Sequence, residues 1–339
     1  MTAPQNNPLD ADGPDTIRMT AGEAHALGEE SLRRLGYPQD EAAIITDQLI
    51  DNALCGYRFA SLPRILAIAG DEKTRQPRRP VTVIRETPVS ALLDGGNNVG
   101  YVAAYRGARM AIDKAKASGI AVVGVSDSYY SGRNAYYVEM IARAGLVAIH
   151  TASAKPRVLP PGGTRPALGT NPIAIGFPSE GDPVVYDIGT ASMMWGEVLL
   201  HAQLGLPIPD GVGFDAAGQP TTDADEVVKG GVVPFAGHKG YGLSFAIQAL
   251  GLLAGAAIPR GQVQDYGFLF IAIDPAILLG PGVFASQMSE LVERMKATPR
   301  APGADSIRIP SERAVRERAR RREEGIVLDR VVVEALRAL

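Results

Sequence analysis

Hydrophobic positions change period several times along the chain, and each change marks an element. From Thr20 to Cys55 apolar residues recur every three or four positions, which predicts two helices, the second over Asp40–Leu54. Thr20 followed by Glu23 is a capping-box pair for the first. Prolines 63, 77 and 80 then punctuate the chain, and Val81–Leu93 alternates as a pair of strands. Asp94-Gly-Gly-Asn-Asn-Val-Gly100 reads as a turn, and Tyr101–Ser118 as an alanine-rich amphipathic helix stopped by Gly119. From Ile120 the texture becomes β-rich. Val122–Val125, Leu146–Thr151, Ile173–Gly176 and Val184–Ile188 are short apolar runs, too closely spaced for regular β-α-β alternation. Ala135–Ala144 is the clear helix among them, Ser126–Gly132 leading into it, and Val232–Phe235 is a further short run. Tyr241–Ala256 reads as a strongly apolar helix, Tyr266–Ile273 as a strand, and Gly280–Lys296, Ser311–Arg321 and Asp329–Leu339 as helices.

Composition narrows the class. A chain of 339 residues with 46% hydrophobic and 21% charged residues has enough apolar material for two or three lobes. The formal net charge of −3 gives no reason to expect nucleic acid or an anionic membrane as partner. The one basic cluster, Arg313–Arg322, is interleaved with glutamates and reads as a solvated helix face. One cysteine, Cys55, excludes an internal disulfide, fits a cytoplasmic protein, and ends an apolar segment as a buried structural thiol. Met1–Thr16 is polar, carries no signal-peptide pattern, and is expected to be a disordered tail; no apolar stretch is long enough to span a bilayer.

Candidate chemistry sits in the second half. Gly169-Thr-Asn-Pro172 is a tight turn whose backbone N–H groups and short polar side chains suit a ribose or pyrophosphate; alone it would be a plain turn. Gly237-His-Lys-Gly240 sets Lys239 between glycines at the opening of an apolar helix, an arrangement that favours an anion over a bare surface lysine. Asp187 ends a strand, placed for a ribose hydroxyl or a catalytic partner, or simply to cap the helix that follows. No G-x-G-x-x-G follows a strand, so a Rossmann domain is not expected. The four histidines have no metal-ligand spacing with one another, with Cys55 or with a carboxylate, and no metal site is expected.

In their order these segments resemble the type-2 malate/L-lactate dehydrogenase family of NAD(P)-dependent 2-oxo- and 2-imino-acid oxidoreductases. The run includes Leu62-Pro-Arg64, Leu168–Pro172, Asp187-Ile-Gly-Thr190, Pro220–Asp223, Gly237–Gly242 and Ile309-Pro-Ser-Glu312, and the resemblance extends from about Ala42 to the C-terminus. It implies an α/β fold with a non-Rossmann, mixed-sheet nicotinamide-binding domain and a helical lobe formed by both termini. It also implies NADPH or NADH as cofactor, a small-molecule substrate, and a homodimer. The positions it assigns to the cofactor are Ser153, Thr170, Asn171, Asp187, Ile188, Gly189, His238, Lys239, Ser311 and Glu312.

Two segments depart from the family. Where it has a histidine near the substrate carbonyl, within Ser126–Gly132, this chain has Tyr130. A tyrosine transfers protons near neutral pH only with a cation or hydrogen-bond network beside it, so packing stands as the competing reading. Where the family has serine-histidine-glycine and a carboxylate-clamping arginine, this chain reads Gly56-Tyr-Arg-Phe-Ala-Ser61, with Tyr57 at the histidine and Ser61 at the clamp. Arg58 is the candidate replacement clamp, and surface or packing roles for Tyr57 and Arg58 remain open.

The expectation is therefore an atypical member of that family, lacking its catalytic histidines. Its activity would be NAD(P)H-dependent hydride transfer to a C=N, C=O or activated C=C bond, with Tyr130 or Tyr57 as acid. Loss of the clamp points away from a simple 2-oxo acid and toward secondary metabolism. The alternative is the same scaffold working without net redox, as a lyase, isomerase, cyclase or ligand-binding protein. The expected divisions are a tail over 1–16, a helical and dimerisation lobe over 17–80 with 297–339, a small connecting lobe over 81–119, and a cofactor lobe over 120–296.

Overall fold

A computed structural model describes residues 15–339. The expected tail lies outside the described residues except for its last two, and Thr16 already begins a strand. In chain order the main elements are β1 (Thr16–Met19), α1 (Ala21–Arg34), α2 (Gln39–Leu54), α3 (Pro63–Gly70), β2 (Thr82–Thr87), β3 (Ser90–Val99), α4 (Gly100–Ser118), β4 (Ile120–Tyr129) and α5 (Asn134–Arg143). They continue with β5 (Val147–Ser153), β6 (Ile173–Phe177), β7 (Val184–Ile188), α6 (Trp195–Leu204), β8 (Gly213–Phe214), β9 (Pro220–Thr221), α7 (Ala224–Lys229), β10 (Gly231–Val232) and α8 (His238–Leu253). The last are β11 (Gly267–Ile273), α9 (Val283–Lys296), α10 (Glu312–Glu324), β12 (Ile326–Asp329) and α11 (Arg330–Ala338). The described chain forms two compact units, one of residues up to Pro77 with 290–339, the other of residues 78–289.

The first unit is the helical lobe built from both termini. The capping box at its start is formed: the Glu23 amide donates to the Thr20 hydroxyl at 3.2 Å, and Thr20 N–H donates back to the Glu23 carboxylate at 2.8 Å. Leu32, Ile45, Leu49, Ile65, Ile68, Val333 and Leu336 are buried, and β1 pairs antiparallel with β12, tying the two ends of the chain together. Cys55 is fully buried at the C-cap of α2. The basic cluster is not merely a solvated face. Arg318 of α10 is buried, its Nε 2.8 Å from Asp51 of α2. Arg321 donates to the Ala53 carbonyl at 3.0 Å, which also accepts from Gly56 N at 3.1 Å, so the end of α2 is held from α10 as well.

The second unit is a seven-stranded sheet, in the order β2-β3-β4-β11-β5-β6-β7, with a smaller three-stranded module of β8, β9 and β10. Only β3 and β4 run parallel, joined by α4; the other neighbours are antiparallel, which is the mixed non-Rossmann sheet. Helices α4 and α5 cover one face: Gly107 of α4 lies against Val125 and Phe270, and Tyr137 of α5 meets His150 edge to face. Helix α8 covers the other, packed so closely that a Cβ on Gly251 would fall 2.0 Å from the Ser153 hydroxyl oxygen.

Two local expectations are corrected. Asp94–Gly100 is not a turn; β3 runs to Val99 through a bulge between Asp94 and Asn98. Its glycines serve close packing, since a Cβ on Gly95 would sit 2.7 Å from the Ser126 carbonyl. Ser126–Tyr129 is the end of β4 rather than the start of a helix, so Tyr130 stands on the loop between β4 and α5.

Candidate functional site

In the second unit, three connected segments gather around the ends of β6 and β7. The loop before β6 is locked by Asn171, fully buried, whose amide donates to the Ser244 carbonyl at 2.9 Å and to Gln248 Oε1 at 3.1 Å, both on α8. The Thr170 carbonyl accepts from the backbone amide and the hydroxyl of Thr190, just beyond β7. The Thr190 carbonyl in turn accepts from Phe235, which leads into α8. The stretches holding Thr170 and Asn171, Asp187 to Gly189, and His238 and Lys239 are thus one hydrogen-bonded construction.

Two of its residues, Asn171 and Ala236, and the β4–α5 loop residue Tyr130 have left-handed backbone. Their positive φ (31°, 47° and 53°) lies in a region costly for residues with a Cβ and common at functional sites. Gly237 (φ 60°) follows Ala236, and nothing lies within 4 Å of where its Cβ would be. His238 and Lys239 are exposed in the first turn of α8, a 16-residue helix that begins three residues earlier than its apolar run. An open glycine, the N-terminal end of a 16-residue helix and a lysine together fit an anionic group such as a dinucleotide phosphate.

Asp187, half-buried, lies in β7, and its carboxylate accepts from Ala135 N at the start of α5, 2.7 Å away. It therefore serves a helix fifty residues earlier, not the one that follows. Burial pushes its carboxyl up to about 6, partly opposed by the Ala135 hydrogen bond and by the charge of Arg133. Gly189 leaves room for Met194, whose sulfur would be 2.3 Å from a Cβ there. Tyr130 stacks edge to face on buried Tyr129, with ring centroids 5.6 Å apart. Asn134, adjoining Arg133, is buried with both amide atoms lacking a hydrogen-bond partner, a costly arrangement that its sequence position gave no means of anticipating.

The other designated residues are placed differently. The Ser153 hydroxyl is buried between β11 and α8, accepting from Gly267 N at 3.0 Å. Tyr57, Arg58, Ser311 and Glu312 belong to the first unit. The Tyr57 ring lies under the Arg313 guanidinium, 5.0 Å from its centroid, and Arg58 pairs with Asp329 at 2.5 Å. Ser61, at the clamp position, is buried and donates to the Arg58 carbonyl at 2.6 Å. Ser311 (φ 68°) is the N-cap of α10. Glu312 is held by Lys296 at 2.6 Å, and that hydrogen bond keeps its carboxyl below the usual range.

The family model of malate/L-lactate dehydrogenase matches residues 19–337. The chain belongs to the malate/L-lactate dehydrogenase family. It is 34% identical over 331 residues to the L-sulfolactate dehydrogenase of Methanothermobacter thermautotrophicus, covering 94% of this chain and 95% of the relative. It is 36% identical over 240 residues to a Delta(1)-pyrroline-2-carboxylate/Delta(1)-piperideine-2-carboxylate reductase of Pseudomonas putida, covering 67% and 68%. The crystal structure of malate dehydrogenase from Entamoeba histolytica superposes with a TM-score of 0.88 at 26% identity, covering 95% of this chain and 97% of that one. As a member of the malate/L-lactate dehydrogenase family the protein is a nicotinamide-dependent oxidoreductase acting on small molecules. No helix among the described residues is long and apolar enough to cross a membrane.

Proposed function

We propose that this member of the family uses NADH or NADPH to reduce a C=N, C=O or activated C=C bond of a small substrate, with an imine the favoured case. The observation that carries the reading is the hydrogen-bonded construction of Thr170–Asn171, Asp187–Thr190 and the start of α8, with left-handed backbone at Asn171, Ala236 and Gly237. Lys239 and the amides at the start of α8 would hold the phosphates, with His238 beside them. Asp187, Ile188 and Gly189 would line the nucleoside side. A bound nicotinamide supplies the hydride.

The chain's own contribution is then to deliver a proton. No histidine stands at Tyr130 or Tyr57, so the acid is assigned to Tyr130, with Arg133 three residues further along the same loop. An imine nitrogen can arrive already protonated, which lowers the demand on a weak acid. That the P. putida relative is named a reductase of cyclic imine carboxylates supports this preference. Malate and L-lactate are expected to be poor substrates, and a role in secondary metabolism follows from the altered clamp.

A homodimer is part of the proposal. Phe245 (61% exposed), Leu252 and Leu253 (68%) form an apolar stripe along α8 that a second copy of the chain would cover. The decisive test follows oxidation of NADH and NADPH with a cyclic imine carboxylate, a 2-oxo acid and an activated alkene as separate substrates. Turnover of the imine well above that of the oxo acid supports the reading. Cofactor binding without oxidation by any of the three classes would favour the non-redox alternative.

A further inference from the structure

The first unit carries a second feature that the nicotinamide reading does not use. A cavity of about 220 Å³ is lined by Arg18, Arg58, Arg320, Arg321, Glu324, Gly325 and Val327. Four arginines and one glutamate thus line one space. Adding the acids bonded behind them, Glu317 and Asp329, still leaves the group net positive.

Arg58 and Arg321 are half-buried, Arg18 and Arg320 are exposed, and all four are held by acceptors of the protein. Arg58 is anchored by Asp329, with its side chain 19% exposed. Arg321, 18% exposed, is anchored by the Ala53 carbonyl and by Glu317 at 3.4 Å. Arg18 reaches across from β1 to the Glu324 carbonyl at 3.0 Å. Arg320 is set by Glu317 at 2.8 Å and Glu324 at 2.5 Å. The wall also has a close approach at Gly325 (φ 92°), where a Cβ would be 2.8 Å from the Met19 carbonyl and 3.3 Å from Arg18 Cγ. The four arginine charges are only partly offset by Glu317, Glu324 and Asp329. Held in place beforehand, the guanidiniums lose little freedom on meeting an oxyanion, which they bind through charge-assisted hydrogen bonds.

We propose that the Arg18–Arg58–Arg320–Arg321 pocket is a binding site for a small oxyanion of the phosphate type. All of its residues lie in the first unit, so the inference does not rest on the nicotinamide reading. The oxyanion is a free metabolite carrying a phosphate-type group.

The experiment is isothermal titration of the full chain with inorganic pyrophosphate at low salt, in wild type, in the Arg18→Gln/Arg320→Gln double variant, and in Arg300→Gln, outside the pocket. A saturable component of one site per chain is expected beside any binding at the start of α8, weakened at least tenfold in the double variant and unchanged in Arg300→Gln. The absence of saturable heat at millimolar pyrophosphate overturns the proposal. So does a double variant that keeps the wild-type melting temperature and binds as wild type does. If the double variant melts early, the exposed Arg18→Gln single variant decides, with a loss of several-fold expected and none contradicting.

Discussion

Asp187 of β7 accepts a 2.7 Å hydrogen bond from the backbone amide of Ala135, in the first turn of α5, and so joins the last strand of the sheet to the segment that carries Tyr130. Its carboxyl titrates at about 6 rather than 3.8, chiefly through burial.

The folded state therefore holds this proton more tightly than the unfolded chain does. The resulting stability is complete below about pH 4 and is lost as pH rises through 6. Asp187→Asn keeps an acceptor for Ala135 and does not titrate. Urea unfolding at pH 5 and 7.5 should show the variant gaining about 1 kcal/mol on wild type over that interval, a figure reduced for the partial exposure of the site. Parallel behaviour at the two pH values would show that Asp187 is not perturbed.

His150 behaves in the opposite sense. Fully buried, it stacks on Phe270 at 4.0 Å between ring centroids, pairs through Nδ1 with the Leu269 carbonyl, and leaves Nε2 without a partner. Burial lowers its pKa from 6.5 to about 4. Below pH 6.5 the unfolded chain takes up a proton that the native state refuses, so stability falls as pH drops from 6.5 toward 4. His150→Phe removes that loss. The variant should gain about 2 kcal/mol on wild type between pH 7 and pH 5, and equal acid sensitivity of the two proteins would be inconsistent with a neutral buried imidazole.

Much of the fold is legible in the sequence because it rests on local signals. The Thr20–Glu23 cap, the Gly119 stop of α4 and the short apolar runs of β5, β6 and β7 all appear where periodicity and cap chemistry indicate. The failures occur where tertiary packing sets the role of a residue. Gly95 and Gly96 look like a turn but let two strands approach through a bulge. Arg318 looks solvated among its charged neighbours but is buried on Asp51, a partner 267 residues away. In the candidate site, the glycine-lysine segment opens the apolar helix as its position in the sequence indicates. The partners of Asn171 on α8, the bond from Ala135 to Asp187 and the left-handed backbone of Tyr130 depend on contacts distant in sequence.

Tyr130→Phe separates proton transfer from packing, since it deletes one oxygen and keeps the ring. With the acid assigned to Tyr130, turnover should fall about 10²-fold or more while melting temperature and cofactor affinity remain near wild type. Full turnover in the variant would move the role to Tyr57, to water or to the substrate.

The apolar stripe on α8 gives the dimer a direct check. Sedimentation of the wild type at micromolar concentration should show a species of twice 35.7 kDa, and Phe245→Glu should shift it toward the monomer. A wild type that sediments only as a monomer contradicts the homodimer.

The central claim is a nicotinamide site on Thr170, Asn171, Asp187 and Lys239, and fluorescence titration with NADH and NADPH tests it most directly. Wild type should bind at least one of them saturably. Lys239→Ala should lose about 1.5–3 kcal/mol of that binding, the typical cost of removing a charged hydrogen-bond partner. No affinity for either reduced cofactor at millimolar concentration, or an undiminished affinity in Lys239→Ala, would contradict it.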